Sequence, residues 1–444
     1  MANQERIDLS LEVSPVANYT GEVAADDIPE EMIHRIQSFM DARLAARSTV
    51  LSKSWHRAWF TRPDLDFRDQ DFRSRLIEFP AFAINTLQRY EVLELRIYTF
   101  RLDMVSIGDH RLAKELIIKA IKLGATNLTL RIRRDCRHTL FSLPNEVLYS
   151  ETLAGLSTCE CAINLQFGKN EVSWSNLKTL TLSHGVTHGD LFLDLIWKCP
   201  SLENITLYKT VSFPTLSNEQ RRLSLSCENI IKLHKLKSLQ LIGLDNRDYI
   251  FRHDLWPKFP WLKELVIEDA DSSYDWRGLR ICSPSLELIT LYMYCNKITN
   301  GVFDVPNIRK FRVVGVHLLE LDEFKTSSNR EWESDIHVDC YPFNASWFYS
   351  LSKLLRMLSS SRISLSVYMT YPHDVQHFLY TGDGLPIPVV EKLMISSYPP
   401  VFFAFLRAMF FSCRPNLIFV DVRFMREVDL EAAFRQLHYR PIFW

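Results

Sequence analysis

The chain has 444 residues, 47% of them hydrophobic and 24% charged, a balance that fits a folded protein and leaves little room for extended disorder. Its 52 Lys and Arg against 53 Asp and Glu give a formal net charge of −1, far from the basic excess that phosphate-backbone binding requires, so nucleic acid is not an expected partner. This length exceeds one compact core and points either to several domains or to one elongated repeat array.

Residues 1–26 are polar and acidic, with no basic start followed by an apolar run, so the sequence predicts a disordered segment and no secretory leader. Nine scattered cysteines without dense spacing argue against a disulfide framework and fit a reducing compartment, the nucleus and/or the cytoplasm. Asn18, Asn127, Asn204 and Asn344 stand in N-x-S/T settings but are expected to stay unglycosylated there.

Asp26-Asp27-Ile28-Pro29-Glu30-Glu31 reads as a helix start, with acidic residues near the positive end of the dipole and proline early. Ile33, Ile36, Phe39 and Met40 then form one apolar stripe at spacings of three and four. Asp41 is placed to cap a second helix carrying Leu44, Ala45, Arg47, Val50 and Leu51. A third starts at Ser52, with Trp55 and Trp59 one turn apart. Three such helices give a core too small to stand comfortably alone, so a partner or the adjoining array should complete it.

After a helical linker over 68–90, the pattern L-x-x-L-x-L recurs, three apolar side chains suited to a strand and its leading turn. Clear copies are Leu177/Leu180/Leu182, Leu202/Ile205/Leu207, Leu236/Leu239/Leu241, Leu262/Leu265/Ile267, Leu286/Ile289/Leu291 and Ile308/Phe311/Val313. Their starts differ by 25, 34, 26, 24 and 22 residues, mostly within the length of a leucine-rich repeat, and the short strand signal at Leu223/Leu225 suggests that two abbreviated turns occupy the long gap. The pattern extends to Val92/Leu95/Ile97, Ala125/Leu128/Leu130, Val390/Leu393/Ile395 and Leu417/Val420/Val422. Weaker copies lie near Leu153/Leu156, Ile336/Val338 and Ile363/Leu365.

A single solenoid over 91–444, including a C-terminal cap, follows, with a parallel sheet and convex-side helices such as Gly189 to Cys199. The fold class is therefore α/β. Val401 to Phe411, broken by Arg407, is too short for a membrane span and reads as a buried helix.

No reaction chemistry is visible. Cys159 and Cys161 form C-x-C, and Cys282 precedes Cys295 by 13 residues, neither being the paired C-x-x-C of a structural zinc site. His184 and His188 lack a flanking glutamate and stand among glycines, which predicts a loop. Gly382-Asp383-Gly384 is turn chemistry rather than a phosphate cradle. No catalytic residue, metal or cofactor is expected. Tyr208, Tyr292 and Tyr294, on or just after strands, are candidate anchors for a protein partner.

The residues Ile28-Pro29-Glu30-Glu31-Met32-Ile33, then Ala45-Ala46-Arg47-Ser48-Thr49-Val50-Leu51-Ser52-Lys53-Ser54-Trp55 and Trp59, with a trailing Pro63-x-Leu65-x-Phe67, resemble an F-box of the plant F-box/leucine-rich-repeat family. The V-L-S-K-x-W run is the most specific feature. The resemblance covers about residues 27–67 in detail and the remainder through repeat pattern alone, and the leader before Ile28 lacks the apolar-polar run often seen there.

It implies a non-catalytic adaptor of an SCF-type ubiquitin ligase. Its F-box would bind a Skp-type linker, and through it a cullin, with Ile28, Pro29, Ile33, Ile36, Leu44, Val50, Leu51, Ser52, Lys53, Trp55 and Trp59, while the repeats hold a protein substrate. A small-molecule-sensing F-box receptor and an interaction scaffold unconnected to ubiquitin remain alternatives.

Overall fold

The computed structural model describes residues 28–40, 42–72, 76, 78–134, 139–163, 174–184, 199–208, 233–244, 259–269, 276–327, 331–369, 382, 384–396, 402–421 and 442–443. Residues 1–26, Asp41, His188, Leu223/Leu225, Val422 and most of the Gly189 to Cys199 segment lie outside them.

Three short helices come first: α1 (Glu30–Ser38), α2 (Ala42–Arg47), which runs into a 3-10 turn at Ser48–Val50, and α3 (Lys53–Thr61). Pro29 sits at the N-cap of α1 with Glu30 and Glu31 in the first turn, and the Ser52 hydroxyl caps α3 by accepting from the Trp55 N–H at 3.4 Å. Ile33, Trp55 and Ala58 form a small buried cluster, with Ile28, Ile36 and Met40 partly buried against it. Polar ties supplement it. Gln37 Nε2 donates to Ser48 Oγ at 3.2 Å and to the Trp55 carbonyl at 3.3 Å. Glu30 accepts from Arg57 Nε at 2.8 Å and from Thr61 Oγ1 at 2.9 Å.

The chain passes into the sheet through Arg62 and Pro63, whose carbonyls accept from Tyr90 Oη at 2.6 Å and from the Tyr98 N–H at 2.8 Å. The strands are β1 (Asp64–Arg68), β2 (Thr99–Met104), β3 (Asn127–Ile132), β4 (Phe141–Ser142), β5 (Gly155–Cys159), β6 (Cys161–Ala162), β7 (Thr179–Ser183), β8 (Asn204–Tyr208), β9 (Ser238–Leu244), β10 (Glu264–Asp269) and β11 (Trp276–Arg277). They continue as β12 (Arg280–Cys282), β13 (Leu288–Met293), β14 (Ile298–Thr299), β15 (Gly301–Asp304), β16 (Lys310–Gly315), β17 (Leu321–Lys325), β18 (Glu333–Asp339), β19 (Arg362–Tyr368), β20 (Val389–Ser396), β21 (Arg414–Asp421) and β22 (Ile442–Phe443).

Among the described residues, fifteen of these make one parallel sheet in the order β1-β2-β3-β5-β7-β8-β9-β10-β13-β16-β18-β19-β20-β21-β22, a succession consistent with leucine-rich-repeat stacking. One inward position of each repeat lies beside that of the next, the third of the triplet in most repeats and the second in the last two. Phe67, Leu102, Leu130, Thr158, Leu182, Leu207, Leu241, Ile267, Leu291, Val313, Ile336, Leu365, Leu393 and Ile418 form one line across the sheet. All are buried, because no repeat can cover its apolar side alone and each neighbour supplies the cover.

Three differences from the sequence reading follow from this register. Stacking starts at β1, not near Glu91, since Leu65 and Phe67 already pair with Phe100 and Leu102. The repeat placed at Val92/Leu95/Ile97 is instead Ile97/Phe100/Leu102: Val92 ends a helix and is exposed. At the last repeat the inward residues are Pro415, Ile418 and Val420, while Leu417 faces out.

The return segments are mixed. Helices α4 (Glu78–Val92), α5 (His110–Lys122), α6 (Asn145–Leu148), α7 (Ala345–Met357) and α8 (Phe402–Ser412) occupy some of them. Asp109 caps α5, accepting the N–H groups of Arg111 and Leu112, and Asn344 caps α7. Between residues 276 and 325, however, the return segments form a β11-β14 pair and a β12-β15-β17 sheet where helices were expected. Aromatic packing explains it. Phe303 and Phe324 from these short strands stack with Phe311 and Trp332, the Phe324 and Trp332 rings lying 5.4 Å apart and 7° from parallel.

Candidate protein-interaction surfaces

The cluster inside the three-helix unit is separate from the continuous core of the sheet. A core that small cannot cover every apolar side chain the helices carry, and several are left outside. Val50 is 87% exposed and Phe39 75%, while Met32, Leu44 and Leu51 are each at least half exposed. The Arg35 guanidinium lies over the Phe39 ring, 4.9 Å from its centroid.

The structure divides the expected contact residues into two groups. Pro29, Leu44, Val50, Leu51 and Lys53 are exposed. Ile33 and Trp55 are interior, at 0% and 5% exposure, and Ile28, Ile36, Ser52 and Trp59 are half-buried. Ile33 and Trp55, both in the linker-contact set that the resemblance implies, are therefore interior to the unit in the structure and offer little surface of their own. Met32 and Phe39 were not among the residues assigned to the linker, although Phe39 belongs to the apolar stripe. Their seven-residue spacing places them on one side of α1, which is a usable signal.

The sheet presents a second surface. Its strands alternate buried and half-exposed residues, so one face is core and the other is open. Ion pairs cross the starts of neighbouring strands, Glu203 with Lys237 at 2.6 Å and Glu287 with both Lys263 at 3.1 Å and Arg309 at 3.0 Å. Each contributes little alone, but opposite charges side by side favour this register over a slipped one.

On the open face Tyr292 and Tyr294 stack, with centroids 6.0 Å apart, while Tyr208 lies 5.0 Å from the His184 ring. The Tyr294 loop is held firmly. Asp269 accepts from the N–H groups of Tyr294 and Cys295 at 3.0 Å and from that of Asn296 at 2.7 Å. Anchors fixed in this way lose little entropy when a partner covers them.

The groups singled out for chemistry are placed quietly. Burial pushes the Cys161, Cys199 and Cys413 thiols up to about 12, which keeps them protonated and unreactive at neutral pH. Cys161 Sγ donates to the Cys159 carbonyl at 3.4 Å. Gly382 and Gly384 both take positive φ, +82° and +73°, as a turn requires. Among the described residues, no cluster of three or more His, Cys, Asp or Glu side chains could hold a metal ion, and no helix is long and apolar enough to cross a membrane.

No family model matches the chain. It is similar to curated proteins of Arabidopsis thaliana. A putative F-box/LRR-repeat protein is 26% identical over 229 residues, 49% of this chain and 45% of the relative. An F-box/LRR-repeat protein is 27% identical over 226 residues, 48% and 67%. An FBD-associated F-box protein is 28% identical over 195 residues, 42% of each. None of these three names denotes an enzymatic activity. The chain spans about half the length of most of the curated relatives it matches.

Proposed function

We propose that this chain, similar in sequence to the plant F-box/leucine-rich-repeat proteins, is the substrate-recognition adaptor of an SCF-type ubiquitin ligase. Residues 27–67 act as the F-box and dock a Skp-type linker that connects to a cullin, and the open face of the sheet receives a protein substrate. One observation carries this reading. A three-helix unit with its own small core stands ahead of the sheet and leaves Val50, Leu51, Met32 and Phe39 uncovered. Apolar surface concentrated on so small a unit is what a partner would cover.

Pro29, Leu44, Val50, Leu51 and Lys53, joined by Phe39, make the direct contact. Ile28, Ile33, Ile36, Ser52, Trp55 and Trp59 hold the helices that present them. The adaptor contributes no catalytic side chain. It raises the effective concentration of substrate beside a ubiquitin-charged enzyme, and the rate follows from proximity. Tyr292 and Tyr294 serve as substrate anchors. The test is affinity purification of the full chain from plant cells, with bound proteins identified. A Skp-type linker and a cullin are expected together, and their absence from a folded, soluble bait contradicts the proposal.

A further inference from the structure

Where the three-helix unit meets the sheet, α2, α3, β1, the 3-10 turn at Asp69–Phe72 and α4 line a half-open cavity of about 470 Å³. That is the size of a small-molecule site, larger than a packing defect. Its apolar walls come from Trp59, Phe60, Phe67, Phe72 and Phe82. Its polar groups are mostly cationic.

Arg62 is only 9% exposed, and among the described residues no hydrogen bond or ion pair holds its guanidinium, which lies 4.0 Å from the Trp59 ring and in the field of Asp66 and Asp64. Arg89 stacks on Phe60 at 4.4 Å, and its Nε is buried without a hydrogen-bond partner. Of the acidic groups nearby, Asp66 is engaged by both Nε and Nη2 of Arg68, Asp64 lies close enough to attract Arg62, and Asp71 shares the cavity wall with four arginines, Arg43, Arg62, Arg68 and Arg89. Burying a guanidinium without a partner costs several kcal/mol. The Arg62 guanidinium and the Arg89 Nε on one cavity therefore leave donors that an anion supplied from outside the chain would satisfy.

We infer that this cavity binds a small organic anion, with its acidic group on Arg62 and Arg89 and its apolar body among the aromatic rings. A carboxylate, sulfonate or phosphate ester has the required chemistry, since a planar guanidinium pairs with any of them through two parallel N–H bonds. A bare inorganic anion would leave the aromatic walls empty, and a neutral apolar molecule would leave the Arg62 guanidinium and the Arg89 Nε without an acceptor. The inference does not rest on the linker-docking reading: of the cavity wall only Trp59 is also among the residues assigned to linker docking, where it holds α3 and makes no direct linker contact.

The test is fluorescence titration of the full chain with 1-anilinonaphthalene-8-sulfonate, an aromatic anion, and with its uncharged counterpart N-phenyl-1-naphthylamine. One saturable sulfonate site is expected, with the neutral probe binding about tenfold more weakly or worse. Arg62→Met should weaken sulfonate binding by about tenfold or more, and Ala46→Trp, which fills the cavity from its wall, should abolish it. If circular dichroism shows that Arg62→Met does not fold, Arg89→Met, at a more exposed position, takes its place. Undiminished sulfonate binding in the folded variants, or equal binding of the neutral probe, overturns the inference. Displacement of the sulfonate by an equal concentration of inorganic phosphate also overturns it, by showing a bare-anion site.

Discussion

The three-helix unit and the stacked sheet solve the same problem, covering apolar surface, in opposite ways. Every repeat of the sheet hands its inward apolar row to the next, so Leu291 has buried inward neighbours on both sides. The helices have no such neighbour. They bury Ile33, Trp55 and Ala58, tie α1 to α3 through Glu30 and Gln37, and leave Val50 and Phe39 outside. Repetition gives self-sufficiency, whereas a short non-repeating unit stays dependent on what binds it.

The largest effect that separates the two regions is on stability. Phe311→Ala removes a fully buried ring from the Phe303, Phe324 and Trp332 stack and should cost about 3–5 kcal/mol. Val50→Ala, at an exposed position, should change stability by no more than about 0.5 kcal/mol. Urea denaturation of both variants measures this, and equal losses would erase the contrast. A smaller effect is expected from Asp269→Ala, which strips three backbone N–H groups of their acceptor at a cost of about 1–3 kcal/mol. Hydrogen exchange should quicken at Tyr294, Cys295 and Asn296 first.

The smallest effect depends on pH. The hydrogen bond with His337, 2.8 Å away, holds the Asp335 carboxyl below its ordinary value of 3.8, helped by the nearby charges of His337 and Arg312. A depressed folded-state value means that the contribution to stability is present above 3.8 and is lost as the pH falls through the folded value. Asp335→Asn should flatten the acid limb of stability against pH without altering stability differences between pH 6 and 8 by more than about 0.5 kcal/mol. A parallel acid limb in parent and variant would show that the pair contributes nothing.

Much of the sheet was legible because burial there depends on one local rule, three apolar residues at fixed spacing, that each repeat restates. The rule misled where another element ended on similar residues. Val92 and Leu95 mimic a repeat, but Val92 is the exposed last residue of α4, and the strand begins only at Thr99. Leu417 beside Ile418 offered two registers, and pairing with β20 chose the second. The short strands between residues 276 and 325 were hidden because they are held by rings such as Phe303 and Trp332, distant in sequence. In the helical unit the stripe identified residues that need cover without saying whose. Ile33 is covered from within and Phe39 is not, a distinction that appears only once α3 is in place.

The most direct measurement is linker binding by three folded proteins: the parent chain, a Val50→Ala/Leu51→Ala variant and Tyr292→Ala, each titrated calorimetrically with a purified Skp-type subunit. Truncating two exposed anchors should cost about 2 kcal/mol or more, roughly thirtyfold in affinity, and Tyr292→Ala should bind as the parent does. Parent-like binding by the double variant, or an equal loss in Tyr292→Ala, would contradict the assignment of linker docking to the three-helix unit.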